Sequence, residues 1–399
     1  MTSPTVRAVC RVLLLSATLS ACGPKARPPP TEEGPVARIW RQSAQAHDFE
    51  AFSRQGTRLN PAGELELEPT LAPAEGGHQV GHASAETLGF ASGFDNVVPS
   101  FDVLTPPGTW VRLTLAAHVE GGWTKDYDFG EWALDEGTVV RHSAGRQEDT
   151  HGKVLTDTLV LGQKADGVRL TVWLHSTRPG VSPRVRALSA AATDTQRPAR
   201  VEPSDGRAWG TRLPVPGRSQ MLYPPKGGVW CSPTSVSMLL AYWSQRLGRE
   251  SLVVSVPEAA ARVYDATYQG TGNWPFNTAY ATALSDGALN GLVARFDSLT
   301  QVERLIAQGI PISISVAYGP GELTGSPVPS SDGHLLVVTG FTPQGDVLCN
   351  DPAFPSDAAV SVTYRREELL RAWEHSRRAA YVLWPADTEL PPGAFTFVP

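Results

Sequence analysis

The spacing of apolar residues changes once along this chain, and that change restricts the folds open to it. From about Ile39 to Ser189 apolar residues recur at every second position. In "WVRLTLAAHVE", Val111, Leu113, Leu115, Ala117 and Val119 alternate with Arg112, Thr114, His118 and Glu120. A period of two puts the first set on one face of a strand, toward a core. "GVRLTVWLHS" repeats the pattern with Val168, Leu170, Val172 and Leu174, and "KVLTDTLVL" and "RVRAL" read as shorter strands. Glycine, proline and aspartate clusters between them mark turns. A short helix is expected only near Ala44 to Phe52. An all-β antiparallel sandwich, jelly-roll-like, is therefore expected over residues 37–190.

Residues 191–212 are rich in proline, alanine and polar residues without periodicity, and read as a linker packed across two domains. After Leu213 helical spacing takes over. Val236, Leu239, Leu240, Trp243 and Leu247 line one face, with Pro233 in the first turn and Gly248 at the stop. "SLTQVERLIAQGIP" is a second helix, capped by Ser298 or Thr300 and closed by Gly309. "PISISVAY", "HLLVVTGFT" and "DVLCNDP" are strands, "YRREELLRAWEHS" is a helix and "AAYVLWP" a last strand. Helices first, then strands with little alternation, give an α+β domain over residues 213–387, followed by a tail at 388–399.

The N-terminus carries Arg7 and Arg11, then an apolar run from Val12 to Leu19 that is too short to span a bilayer as a mature helix. Leu19-Ser20-Ala21-Cys22 resembles the lipobox of bacterial lipoproteins. Residues 1–21 would be the signal, Cys22 the lipidated residue, and residues 22–36, with three consecutive prolines, a stiff tether. The resemblance implies a cell-envelope lipoprotein. Gly23 in place of aspartate resembles outer-membrane sorting rather than inner-membrane retention. A net charge of −6 gives no broad basic surface for nucleic acid.

Of the four cysteines, Cys231 and Cys349 then remain in the mature chain, too few for a disulfide scaffold. Cys231 precedes the first helix, whose unpaired N–H groups and dipole favour an anion and lower a thiol pKa. A cysteine nucleophile needs a base, and the base needs an orienting group. His334 begins one strand and Asp351 ends the next. "TPQGD" between those strands favours a hairpin that would bring the two side chains together. Cys349 shares strand parity with Asp351. It reads as a small buried residue, a disulfide partner for Cys231, or a redox control point.

Cys-x-Pro-x-Ser opening a helix, then Gly-His before an apolar strand and Gly-Phe, then Asn-Asp-Pro-Ala, resembles the papain-like cysteine peptidases of the bacteriocin-processing (double-glycine leader) type. In particular it is similar to their secreted, stand-alone relatives. The resemblance covers about Leu213 to Pro385. It implies Cys231 as nucleophile, His334 as base and Asp351 as orienting group. Gln220, with the Cys231 backbone N–H, would stabilise the oxyanion. Two departures stand out. Ser232 occupies a position where many relatives carry glycine, and Gln220 lies further from the cysteine than in transporter-linked members. Trp274 and Asn277, in "GTGNWPFNTAYATAL", are candidates for the substrate cleft. No cofactor or metal is expected. His78 and His82 lie four apart in "HQVGH", but the glycine-bearing segment argues against a helical metal site. The other histidines of the first half read as surface residues.

The reading is a lipid-anchored envelope peptidase acting on a peptide, a protein or the peptide stems of a cell wall. Two alternatives stand beside it. The same triad serves acyl transfer or transamidation to an acceptor other than water. A surface binding module without turnover is the other, its sandwich holding a glycan or protein through Trp110, Trp123, Trp132 or Trp173.

Overall fold

A computed structural model describes residues 36–74, 77–200 and 202–399. The signal segment, Cys22 and the tether up to residue 35 lie outside the described residues.

Two sheets make the N-terminal domain. One is nine-stranded and the other six-stranded, each built almost wholly from antiparallel pairs. The strands Thr109–Val119 and Gly167–Ser176 pair along their whole lengths in the smaller sheet. Their alternate residues Leu113, Leu115, Leu170 and Leu174 are buried in the core between the sheets. The segment "KVLTDTLVL" is not one strand. It is a tight hairpin of Gly152–Leu155 and Thr158–Ala165, turning at Thr156 and Asp157. Thr156 takes a left-handed φ of 58°, which ends the first strand and reverses the chain. In place of the short helix near Ala44 there is a single 3-10 turn, Asp48–Ala51.

The tryptophans of this domain mostly pack. Trp132 and Trp110 are buried, and Trp123 lies beneath the Arg169 guanidinium. The histidines are not all surface residues. His175 is buried, stacked on Trp110 at 4.9 Å, and burial, aided by His78 and Arg112, lowers its pKa to about 4. His78 packs on the same pair and His82 on Trp173.

The C-terminal domain is α+β. Helices α1 (Cys231–Leu247), α2 (Val256–Val263) and α3 (Trp274–Leu284) precede the strand Leu289–Arg295. Helix α4 (Leu299–Ala307) and α5 (Arg366–His375) flank an antiparallel six-stranded sheet. The sheet's inner strands are Ala379–Pro385, Ile312–Tyr318, Ser331–Phe341 and Val347–Asn350, in that order. Helix α1 stops at Gly248, whose φ of 64° is left-handed.

The two domains share their cores. Phe276, Ala279 and Ala283 of α3 sit in the sandwich core, while Ile39, Val98 and Ala191 join the α+β core. The sandwich strand Phe94–Leu104 is buried on both faces, and its polar residues find partners across the junction. Asn96 accepts from Arg295, and Ser100 accepts from the Val293 N–H. Arg186 joins Asp102 to the Thr282 carbonyl. The chain closes on itself, with Phe397–Val398 pairing in parallel with Ala37–Ser43.

Candidate active site

Helix α1 begins at Cys231 itself, one residue after a 3-10 turn at Gly227–Val229. Trp230 offers no side-chain cap, so the first N–H groups of α1 are left for whatever sits at its mouth. Ser235, one turn in, donates to the Leu335 carbonyl at 3.2 Å and pins the helix against the His334 strand. Cys231 and His334 line the same cleft there, and each shifts the other's pKa. His334 Nε2 pairs with Asp351 Oδ1 at 2.7 Å. The hairpin register brings the two together, with Val337 opposite Asn350 and a bulge further along the pair. Asp351 is fully buried, and Tyr364 donates to its other oxygen at 2.7 Å.

Burial opposes charge on all three groups, and in each the pairing wins. For Cys231, the His334 hydrogen bond and charge, then the N–H groups of Leu335 and Ser232, bring the thiol pKa below its usual range. For His334, Asp351 first and Cys231 second push the pKa up to about 10. Asp351 is held below the ordinary carboxylate value, chiefly by His334 and then by Tyr364 and the Ala353 N–H. A lowered thiol beside a raised imidazole favours the thiolate–imidazolium form of the pair.

Gln220 reaches the same cleft. It is buried, its Nε2 donates to the Gly228 carbonyl at 2.9 Å, and its Oε1 has no partner. Its backbone N–H binds Pro352 O, just beyond Asp351. The loop returning to Cys231 passes so close that a Cβ on Gly227 would lie 2.0 Å from Gln220 O. Glycine is required there, and this loop geometry spans the longer separation between Gln220 and Cys231.

Ser232 is buried, and its hydroxyl pairs with the Tyr381 hydroxyl at 2.8 Å. The residue that departs from the common glycine is thus held by the sheet. Trp274 lines the cleft, half-buried under the Arg295 guanidinium. Asn277 does not reach it. Its side chain is fully buried and donates to the Thr271 and Asn273 carbonyls, holding the start of α3. Cys349 is buried and Cys231 partly buried, and both are free, so no bridge joins them. Burial raises the Cys349 thiol well above its usual value, with Asp351 adding to the effect.

Several cleft residues carry no signal in the sequence pattern. Tyr364 holds Asp351 from a neighbouring strand. Arg295 is buried in the cleft wall, its pKa lowered to about 9 by burial and then by Arg377. Asp157 comes from the sandwich hairpin and accepts from the Trp274 N–H at 2.7 Å. Burial pushes its carboxyl up to about 6. A turn aspartate looks like any other turn aspartate until the second domain is in place.

A cysteine at a helix start, with a buried His–Asp pair on an antiparallel sheet beside it, resembles the site of papain-like cysteine peptidases. Residues 212–381 match the Peptidase_C39 like family, and residues 39–193 match the Peptidase C39 N-terminal domain. Each of the two domains is thus similar to a C39-type peptidase family model. No curated protein matches the chain.

Proposed function

We propose that this protein is a cysteine peptidase that cleaves peptide bonds through Cys231, His334 and Asp351. The observation that carries the reading is geometric: Cys231 at the start of α1 lines one cleft with His334, whose ring pairs with the buried Asp351 at 2.7 Å. A purely structural cysteine at a helix end has no need of a buried His–Asp pair beside it. The Cys231 thiolate attacks the carbonyl carbon, a C–S bond forms, and the oxygen takes the negative charge. The second hydrogen of Gln220 Nε2 and the Cys231 N–H receive that oxyanion. The His334 imidazolium gives its proton to the leaving nitrogen and the C–N bond breaks. Water then adds to the thioester, His334 takes its proton, and the acid leaves with the thiolate restored.

Cleavage of a peptide library, with Cys231→Ala as control, tests the reading. Products that persist in the control would remove it. Removing one oxyanion-hole donor costs about 10²–10³ in kcat. Gln220→Ala should lose that much in kcat with KM little changed, measured on any library peptide that is cut. A rise in KM with kcat unchanged would take Gln220 out of the oxyanion site.

Transfer to an amine acceptor uses the same thioester, and added amine nucleophiles report it as a new product beside hydrolysis. We also propose anchoring through lipid on Cys22, from the small residues before it. Partition of the full-length protein into the detergent phase, lost in Cys22→Ser, is the expected result.

A further inference from the structure

The cleft around Cys231, about 860 Å³, is not built by the C-terminal domain alone. Leu155, Thr156, Asp157 and Thr158 of the sandwich hairpin form part of its wall. Eleven large apolar residues stay exposed among the described residues, and four of them, Leu155, Met221, Val229 and Tyr268, line this one cleft. Such a concentration next to a nucleophile marks a surface for apolar groups of a ligand.

Leu155, Thr156 and Tyr268 have a second role in the shape of the molecule. They also border a neighbouring trough of about 540 Å³ on the sandwich surface, walled by Gln147, Glu148 and Lys153. The three residues are thus a ridge between the catalytic cleft and that trough. Gln147–Glu148 is the edge strand of the nine-stranded sheet, so the trough runs beside an open sheet edge.

The ridge is held from both sides. Asp157 fixes the hairpin tip to the first residue of α3. Asp265, fully buried, accepts from the N–H groups of Thr267, Tyr268 and the sandwich residue Ser143, and from the Asn273 amide. The Tyr268 ring lies so near the chain that a Cβ on Gly270 would meet it at 2.7 Å. A binding wall fixed before the ligand arrives costs less ordering on binding.

We propose that the sandwich domain is part of the substrate site. On this view an extended peptide leaves the catalytic cleft over the Leu155–Tyr268 ridge, places an apolar side chain there, and continues along the trough. The inference rests on the peptidase reading above and names where that substrate is read.

Library cleavage by the full chain tests it. Wild type should show an apolar preference at one fixed position on one side of the cut. One poorly matched group in an apolar subsite costs about 10–200-fold. Leu155→Asp should therefore lose at least about tenfold in kcat/KM on peptides with an apolar residue there, and gain relative preference for Lys or Arg at that position. Tyr268→Ala should flatten the same position without the basic preference. Both positions are exposed, and a melting temperature equal to wild type separates a lost subsite from a damaged fold. Identical preferences in wild type and both variants overturn the subsite and leave the peptidase standing. No wild-type cleavage despite fast alkylation overturns both.

Discussion

Replacing His334 with alanine should lower kcat on any cleaved peptide by about three orders of magnitude and, with it, the reactivity of Cys231. The two effects have one origin. In the intact site burial works against the thiolate, and His334 contributes the first two of the effects that overcome it. Without the ring, the Leu335 and Ser232 N–H groups remain but face the burial alone. The thiol pKa then climbs back. Wild-type alkylation by iodoacetamide should hold to pH values below the usual thiol range. Cleavage should fall on the alkaline side as His334 deprotonates near pH 10. In His334→Ala the acid limb of alkylation shifts to higher pH. Mass-spectrometric alkylation rates across pH decide the matter, and an unmoved profile would mean that His334 does not set the thiolate.

How much of this was legible in the chain depends on what each residue faces. Strands with one wet face announce themselves, as Leu113 and Leu115 do between Arg112 and Thr114. The strand Phe94–Leu104 does not, because α3 covers the face that water would otherwise occupy. Its Asp102 and Asn96 look like loop residues until Arg186 and Arg295 arrive from elsewhere. Helix α3 is hidden for the same reason. "WPFNTAYATAL" is buried nearly all round, so it has no polar stripe to set a helical period. His334 and Asp351 are legible as a pair because one hairpin brings them together, and Cys231 is legible as a candidate from its place at a helix start. A helix start, a strand and a hairpin are each short-range features. Asn277 misled because an amide near an aromatic suits a cleft as well as a loop clamp, and only depth separates them. The hairpin at Thr156-Asp157 passes for one strand in the sequence because neither glycine nor proline marks its turn. That misreading also concealed the contribution of the first domain to the cleft.

Asp351→Ala should be the most damaging substitution for the site and the fold together. The carboxylate is fully buried with His334 at one oxygen and the Tyr364 hydroxyl at the other. Alanine strands both donors, and breaking a buried pair from one side costs about 3 kcal/mol or more. His334 gains a way out, since without the acid it loses its proton readily. The imidazolium that protonates the leaving amine is then scarce at neutral pH, and kcat should drop by about two to four orders of magnitude. The stability loss has a definite pH window. The His334 pKa in the fold, about 10, lies above the 6.5 of a free imidazole, so its share is whole below 6.5 and is lost as pH rises toward 10. Asp351 lies below 3.8, so its share is present above 3.8 and is lost as pH falls through its lower folded value. The gap in melting temperature between wild type and Asp351→Ala should be widest between those two values and close toward pH 10. Asp351→Asn separates geometry from charge. An amide oxygen can still accept from the ring and hold it toward the sulfur, but it carries no charge to raise the imidazole pKa. The expected outcome is partial activity whose alkaline limb moves to lower pH. An Asp351→Asn profile superimposable on wild type would show that the carboxylate only orients the ring, and the charge argument for the ion pair would fall with it.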